Sequence, residues 1–367
     1  MDKKLKIAII GSRGYPYVYS GYETLVKELS ERLVKRGYEV IVYCHASLFK
    51  ERPDELNGIK LVYTPSIETK FLSQFINSFF SFIHVCFSDI DIVLTLNVAN
   101  GPFGILTKIF NKKTCINVDG LEWLRPKWKG LGSIYFKISA RLATCFYDEI
   151  ITDSYEMYKI YKKTYNKNSQ IIAYGSTMVD TDSTSILKKY NLKKREYYLI
   201  VGRLVPDNNS NLILDGFKSS QSEKKIVIVG DVPYNDNYAK TIKSLSSNKI
   251  ILTGYVKSQL ELSSLFINCY AYIHGHEYGG TNPTMINALD LNCQILALNT
   301  PFNKEMLQNR KKILFEKNKI SISACIDNFE LNYNTLILEN SDYKLPKKYN
   351  WDIICNNYIN LFSNLVK

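Results

Sequence analysis

Apolar runs and amphipathic stretches alternate along this chain in a way that sets its fold class. Lys6–Ile10 is a short apolar strand, and Thr24–Arg36 carries the period of an amphipathic helix, ended by Gly37. Further strands are predicted at Glu39–Tyr43, Ile59–Tyr63, Ile90–Leu96, Thr114–Val118, Glu149–Thr152 and Gln170–Ala173. Their nearly continuous Ile/Val runs, separated by helical stretches, predict a parallel sheet covered on both faces. The period lapses over residues 177–195, which are rich in Ser, Thr, Asp and Lys and read as a linker. A second alternation follows, with strands at Tyr197–Val201, Lys225–Val229, Ile250–Leu252, Tyr270–His274 and Gln294–Leu298, and Trp351–Val366 is a final helical pattern. The expectation is an α/β protein of two doubly wound, Rossmann-like domains, 1–176 and 196–350, followed by a helix over 351–367. Ligands of such sheets sit beyond the carboxyl ends of the strands, so the loops there are the places to look for chemistry.

Composition narrows this picture. At 367 residues, 46% hydrophobic and 22% charged, the chain suits two globular domains. Its eight cysteines include no CxxC pair and lie mostly in apolar runs, which suits buried reduced thiols in a cytosolic protein better than a disulfide framework. No signal-peptide core opens the chain. Phe71–Phe87 is the nearest approach to a membrane span, but Gln74, Asn77 and His84 interrupt it. It reads as an amphipathic helix, either packed in the core or seated at a membrane surface. The net charge is +12, and residues 108–141 hold eight Lys and Arg against only Asp119 and Glu122. Basic residues mixed there with Trp123, Trp128, Tyr135 and Phe136 suit an anionic lipid surface or a pyrophosphate-bearing substrate, or else a solvated basic face. No nucleic-acid-binding motif accompanies the charge, so a nucleic-acid partner is not expected.

Three loops stand at strand ends with residues able to hold an anion. Gly11-Ser-Arg-Gly14, extended through Ser20-Gly21, follows a strand and opens a helix, but its glycines lack the GxGxxG spacing of a dinucleotide site. Gly202-Arg203 closes the first strand of the second domain, and an arginine there can pair with two phosphate oxygens. Asn208 and Asn209 add neutral donors, with Asn209-Ser210 expected to cap the following helix. His274-Gly-His-Glu-Tyr-Gly-Gly-Thr-Asn-Pro283 also joins a strand to a helix, at Thr284–Leu289. Gly279 and Gly280 allow close approach, and the N–H groups of Gly280, Thr281 and Asn282 could cradle a diphosphate. Two histidines and Glu277 lie close together, but no further ligand cluster is visible, so no metal is expected.

The combination GRLVPDNN (202–209), IVGD (228–231), LTGYV (252–256) and HGHEYGGTNP (274–283) resembles the GT-B glycosyltransferases of the retaining family-four type. The resemblance is nearest to their bacterial rhamnosyltransferase-like branch. IAIIGSRGYPYVYSGYETLVKEL (7–29) and NVDGLEWLRPKW (117–128) resemble that branch's opening loop and acceptor-side motif. It implies two domains facing a cleft, a last helix crossing back to the first domain, and transfer with retention and no metal or cofactor. It also implies that Arg203 binds the donor diphosphate, with Asn208, His274 and Gly279 to Asn282 around phosphate and sugar, Tyr255 near the base, and Gly21 over the phosphate. Asp119, Gly120, Leu121, Glu122 and Trp123 would line the acceptor side, with Arg203, Asp119 and Glu277 as the candidate catalytic residues.

Two departures from the wider family carry information. Asn208 replaces a lysine, and Asn287 replaces a glutamate that holds the nucleotide ribose. A deoxyribose offers one fewer hydroxyl, which points to dTDP-L-rhamnose as donor. The implied acceptor is a lipid-pyrophosphate-linked saccharide of capsule, O-antigen or cell-wall assembly, met at the anionic inner face of the plasma membrane. Alternatives are another donor (UDP- or GDP-sugar), a nucleotide-sugar epimerase of the same fold, and a non-catalytic partner subunit. A dehydrogenase is the weakest, for want of GxGxxG with a following acidic residue.

Overall fold

Ile/Val-rich segments without polar alternation bury both faces, and here they form two separate, mainly parallel sheets. The computed structural model describes residues 5–16, 21–67, 72–126, 128, 130–181, 183–232 and 236–367. The chain forms two compact units. The first is 1–124, 128–175 and 347–367; the second is 125–127 and 176–346.

The first unit carries β1 (Lys6–Ile10), β2 (Glu39–His45), β3 (Glu55–Leu56), β4 (Ile59–Thr64), β5 (Ile92–Leu96), β6 (Lys113–Asn117), β7 (Glu149–Thr152) and β8 (Gln170–Ile171). Their order is β3-β4-β2-β1-β5-β6-β7-β8, all parallel except the β3–β4 pair. Ile9 faces Val42 on one side and Leu94 on the other, so β1 is central and fully covered. The chain steps from β1 to β2 in one direction and later from β4 through β5, β6 and β7 in the other. The switch point therefore lies between β1 and β5. Helix Trp351–Leu365 belongs to this unit; Asn350 caps it by accepting from the N–H groups of Asp352 and Ile353.

The second unit carries β9 (Tyr197–Val201), β10 (Lys225–Val229), β11 (Ile250–Gly254), β12 (Ala271–His274), β13 (Ile295–Leu298) and β14 (Ile313–Phe315), in the order β11-β10-β9-β12-β13-β14. All pairs are parallel. Here the switch point falls between β9 and β12, whose trailing loops hold Arg203 and the run from Gly275 onward. A core of Tyr198, Ile200, Leu214, Phe217, Ile226 and Phe329 fixes the sheet under its helices.

The structure corrects several expectations. Residues 177–195 are no free linker: they include helix Ser185–Lys189 and belong to the second unit. The strand expected at Ile90–Leu96 starts at Ile92, and that at Gln170–Ala173 stops at Ile171. Strands β3 and β14 were not anticipated; at two and three residues they are too short to show a period. Six cysteines are buried, but Cys145 is exposed and Cys325 half-buried.

Candidate functional site

The switch point of the second unit is laced together by polar residues of its two loops. After β9 the chain turns at Gly202 and Arg203, and Asn208 folds back so that its Nδ2 donates to the Arg203 carbonyl at 2.7 Å. The Oδ1 of the same Asn208 meets His276 Nδ1 at 2.8 Å. Asn209 is left-handed (φ 54°) and does not cap the next helix with its side chain; its Nδ2 donates to the Gly275 carbonyl at 2.8 Å. The Glu277 N–H donates to the Asp207 carbonyl at 3.1 Å. Gly275 is required here, because a Cβ would lie 2.5 Å from the Asn208 carbonyl oxygen. Thus Asn208 is a strap that binds the two loops.

Arg203 is half-buried, and its guanidinium has no hydrogen-bond or ion-pair partner among the described residues. Gly279 (φ 132°) and Gly280 are buried, and their N–H groups likewise have no partner among the described residues. Glu277, the nearest carboxylate in the motif, is already neutralised by Lys317 at 2.6 Å. Tyr278 beside it is pushed up to about 12, by burial first and then by its bond to Glu277. A cation and amides without partners among the described residues, with a compensated carboxylate, are the chemistry that suits an anion.

Not every expected donor group is free. The Asn282 N–H points at Met306 Sδ (3.5 Å), while its Oδ1 caps helix Pro283–Asp290 by accepting from Thr284 N (3.0 Å) and Thr284 Oγ1 (2.7 Å). Thr281 is buried. Asn287 is buried on that helix, and its Oδ1 accepts from Ser176 Oγ and Thr177 N, both at 3.3 Å. Its side-chain carbonyl oxygen therefore holds the 176–177 segment. Tyr255 stands exposed after β11, two strands from β9.

His274 shows more than its motif did. It is buried, and burial, followed by the neighbouring His276, pushes it down to about 3, so it is neutral. Its Nδ1 meets Tyr272 Oη at 2.8 Å, and Tyr272 Oη meets Thr284 Oγ1 at 2.8 Å. Because Thr284 gives its hydroxyl proton to Asn282, Tyr272 must donate to Thr284, and His274 Nδ1–H must donate to Tyr272. Nε2 is then a bare acceptor, buried and without a partner among the described residues.

Sequence reasoning missed three supports. Asn303 donates to the carbonyls of His276 (3.2 Å) and Leu298 (2.8 Å) and so fixes the loop from below. Arg125, in a short segment that belongs to this unit, lies 3.4 Å from Asp207, and both side chains are almost fully buried. Only their burial marks these residues, and burial of a charged side chain has no local signature in the sequence.

In the first unit, Asp119 follows β6 and accepts from the Tyr174 hydroxyl at 3.1 Å. Burial, then Asp119, holds that tyrosine well above the usual phenol range. Gly120 (φ 78°) turns the chain there. Leu121 is buried, Glu122 accepts from Trp128 Nε1 at 2.7 Å, and Trp123 and Leu121 line a groove of about 570 Å³ with Lys137 and Arg141. Gly21 opens helix Gly21–Lys35; residues 17–20 of its loop, like Lys127, Lys129 and Phe71, lie outside the described residues. Among the described residues, no three His, Cys, Asp or Glu groups gather as metal ligands would.

Residues 182–340 match the family model for glycosyl transferases group 1, and residues 77–177 match a domain of unknown function, DUF1972. The fold of the two mainly parallel, doubly wound sheets is that of GT-B glycosyltransferase structures. Sucrose-phosphate synthase from Thermosynechococcus elongatus superposes with a TM-score of 0.80 at 13% identity, covering 99% of both chains. Anabaena HepE in complex with UDP and glucose gives 0.76 at 14%, over 98% of this chain and 100% of that one. A glycosyltransferase from Rickettsia africae gives 0.76 at 16%, over 100% of each. No curated protein gives a significant match.

Proposed function

We propose that this protein transfers a sugar from a nucleoside-diphosphate donor held by the second unit. The observation that carries the reading is the half-buried Arg203 guanidinium, without a partner among the described residues, in a loop of the same switch point as the Gly279 and Gly280 amides, which likewise have none. Negative charge grows on the departing diphosphate as the glycosidic bond breaks, and preoriented donors stabilise it more than they stabilise the ground state. Lys317 removes the repulsion that Glu277 would otherwise exert, and Asn208 keeps the Arg203 loop in position. Asp119, tied to Tyr174, belongs to the acceptor side.

The finer reading follows from the family resemblance. The donor is dTDP-L-rhamnose, transfer proceeds with retention, and the acceptor is a lipid-pyrophosphate-linked saccharide of surface polysaccharide assembly at the inner membrane face. The use of Asn287 Oδ1 by Ser176 and Thr177 supports a donor with one fewer ribose hydroxyl to satisfy. A UDP-sugar is the second reading, favoured by the complexes of HepE with UDP and glucose.

Two experiments test this. Arg203→Ala should lower donor turnover by about 10²–10³-fold with the thermal melt unchanged; wild-type turnover in that variant removes the central claim. Calorimetry of dTDP and UDP should show wild type preferring dTDP and Asn287→Glu shifting toward UDP. A wild-type preference for UDP overturns the rhamnosyl donor and leaves the transferase reading standing.

A further inference from the structure

Three helices of the first unit leave apolar side chains unpartnered on one side of the sheet. Helices Leu72–Cys86, Gly104–Ile109 and Leu131–Phe146 connect β4 to β5, β5 to β6 and β6 to β7. Each step runs in the same direction across the sheet, so right-handed crossovers set all three on one face, where they pack side by side in that order. Helix Leu72–Cys86 exposes Phe75, Phe79 and Ile83, spaced at i, i+4 and i+8. Ile105 and Ile109 form a second exposed row, with Ile109 70% accessible. Leu131, Ile134 and Ile138 form the third, with Leu131 at 85%. The first two rows are joined at one end by Phe87 against Phe110, with ring centroids 5.0 Å apart.

Single exposed apolar residues are ordinary; three rows on adjacent helices are a contact surface. The charges name the partner. No Asp or Glu occurs in any of the three helices, while Lys108, Lys137 and Arg141 are exposed on them. Lys137 and Arg141 have no ion-pair partner among the described residues and line the mainly apolar groove with Leu121 and Trp123. A partner protein of mixed charge is better matched by a surface of both signs than by three helices whose charged side chains are all cationic. A bilayer with anionic headgroups suits them, because it takes up apolar side chains to the depth of the acyl boundary and attracts cations at the headgroup level.

We infer that this three-helix face docks on an anionic lipid bilayer, with the apolar rows entering the interface and Lys108, Lys137 and Arg141 on the headgroup phosphates. This deepens the reading of a lipid-linked acceptor and rests on it for its purpose, though not for its chemistry. Among the described residues no helix is long and apolar enough to cross a membrane, so the contact is peripheral.

The test is co-sedimentation of the full chain, without nucleotide sugar, with vesicles of phosphatidylcholine alone or mixed with phosphatidylglycerol. Wild type should sediment with the anionic vesicles and not with the neutral ones. The variant Phe79→Glu/Ile109→Glu/Ile134→Glu and the variant Lys108→Glu/Lys137→Glu/Arg141→Glu should each bind at least about tenfold more weakly. All six positions are exposed, so the melting temperature should hold. Arg203→Ala, which probes the donor site, should bind vesicles as wild type does, which keeps this test separate from that of sugar transfer. Wild type failing to bind, or either triple variant binding normally, overturns the inference. So does a concentration-dependent dimer that the Phe79→Glu/Ile109→Glu/Ile134→Glu variant abolishes, since a second copy would then cover the face.

Discussion

A buried histidine with one bare nitrogen sets a condition on pH. Folding holds His274 neutral down to about 3, while the unfolded chain takes up a proton there below about 6.5. Between those values the unfolded state binds more protons, so this group's contribution to stability is complete above about pH 6.5. It declines as pH falls, by at most about 1.4 kcal/mol per unit. His274→Asn retains a donor for Tyr272 and removes the titration. The gap between wild type and variant in urea midpoint should therefore shrink from pH 7 to pH 5; a constant gap would show that the imidazole titrates normally. In the sequence His274 was one candidate ligand among several polar residues, and only the hydroxyl relay through Tyr272 and Thr284 assigns its proton.

At the scale of elements, the helix Pro283–Asp290 shows how one residue serves both fold and site. Pro283 at its first position needs no N–H partner, and Asn282 satisfies Thr284 instead. Asn282→Ala should lower stability by about 1 kcal/mol in thermal or urea unfolding. Asn282→Asp keeps the cap and adds negative charge beside the proposed diphosphate site, so it should hold the fold and weaken nucleotide binding in calorimetry. Equal nucleotide affinity in Asn282→Asp and wild type would move the diphosphate away from this helix. The sequence marked this helix clearly, because strand, glycines, Asn-Pro and apolar period succeed one another. Residues 177–195 misled for the opposite reason: five helical residues among Ser, Thr and Asp show no period, yet Ile186 and Leu187 are buried in the second unit.

For the whole molecule, the net charge of +12 matters less than where carboxylates are missing. The basic window at 108–141 overlaps two of the three helices of the exposed apolar face, and helix Leu72–Cys86 completes it. The vesicle binding expected of that face combines an apolar part with an electrostatic part. Added salt should therefore weaken it without abolishing it, as screening removes only the second. The phenylalanine-rich run at 71–87 had two readings in the sequence, core helix or surface-seated helix. The structure packs one side of this helix in the core, with Phe82 and Val85 buried, and leaves Phe75, Phe79 and Ile83 exposed on the other, the side proposed to meet the bilayer.

What the sequence determined alone was whatever depends on short-range order. Strand and helix periods specified two doubly wound sheets, and glycines and arginine at strand ends marked the loops after β9 and β12. Those signals are local because backbone geometry and side-chain burial repeat every two or 3.6 residues. Tertiary structure decided what depends on partners far along the chain. It used Asn208 and Asn209 as straps, took Asn287 Oδ1 for Ser176 and Thr177, paired Glu277 with Lys317, and left Arg203 without a partner among the described residues. Whether a polar group is spent on the fold or left for a ligand depends on distances of a few ångströms between residues tens of positions apart, and no window of sequence contains that distance.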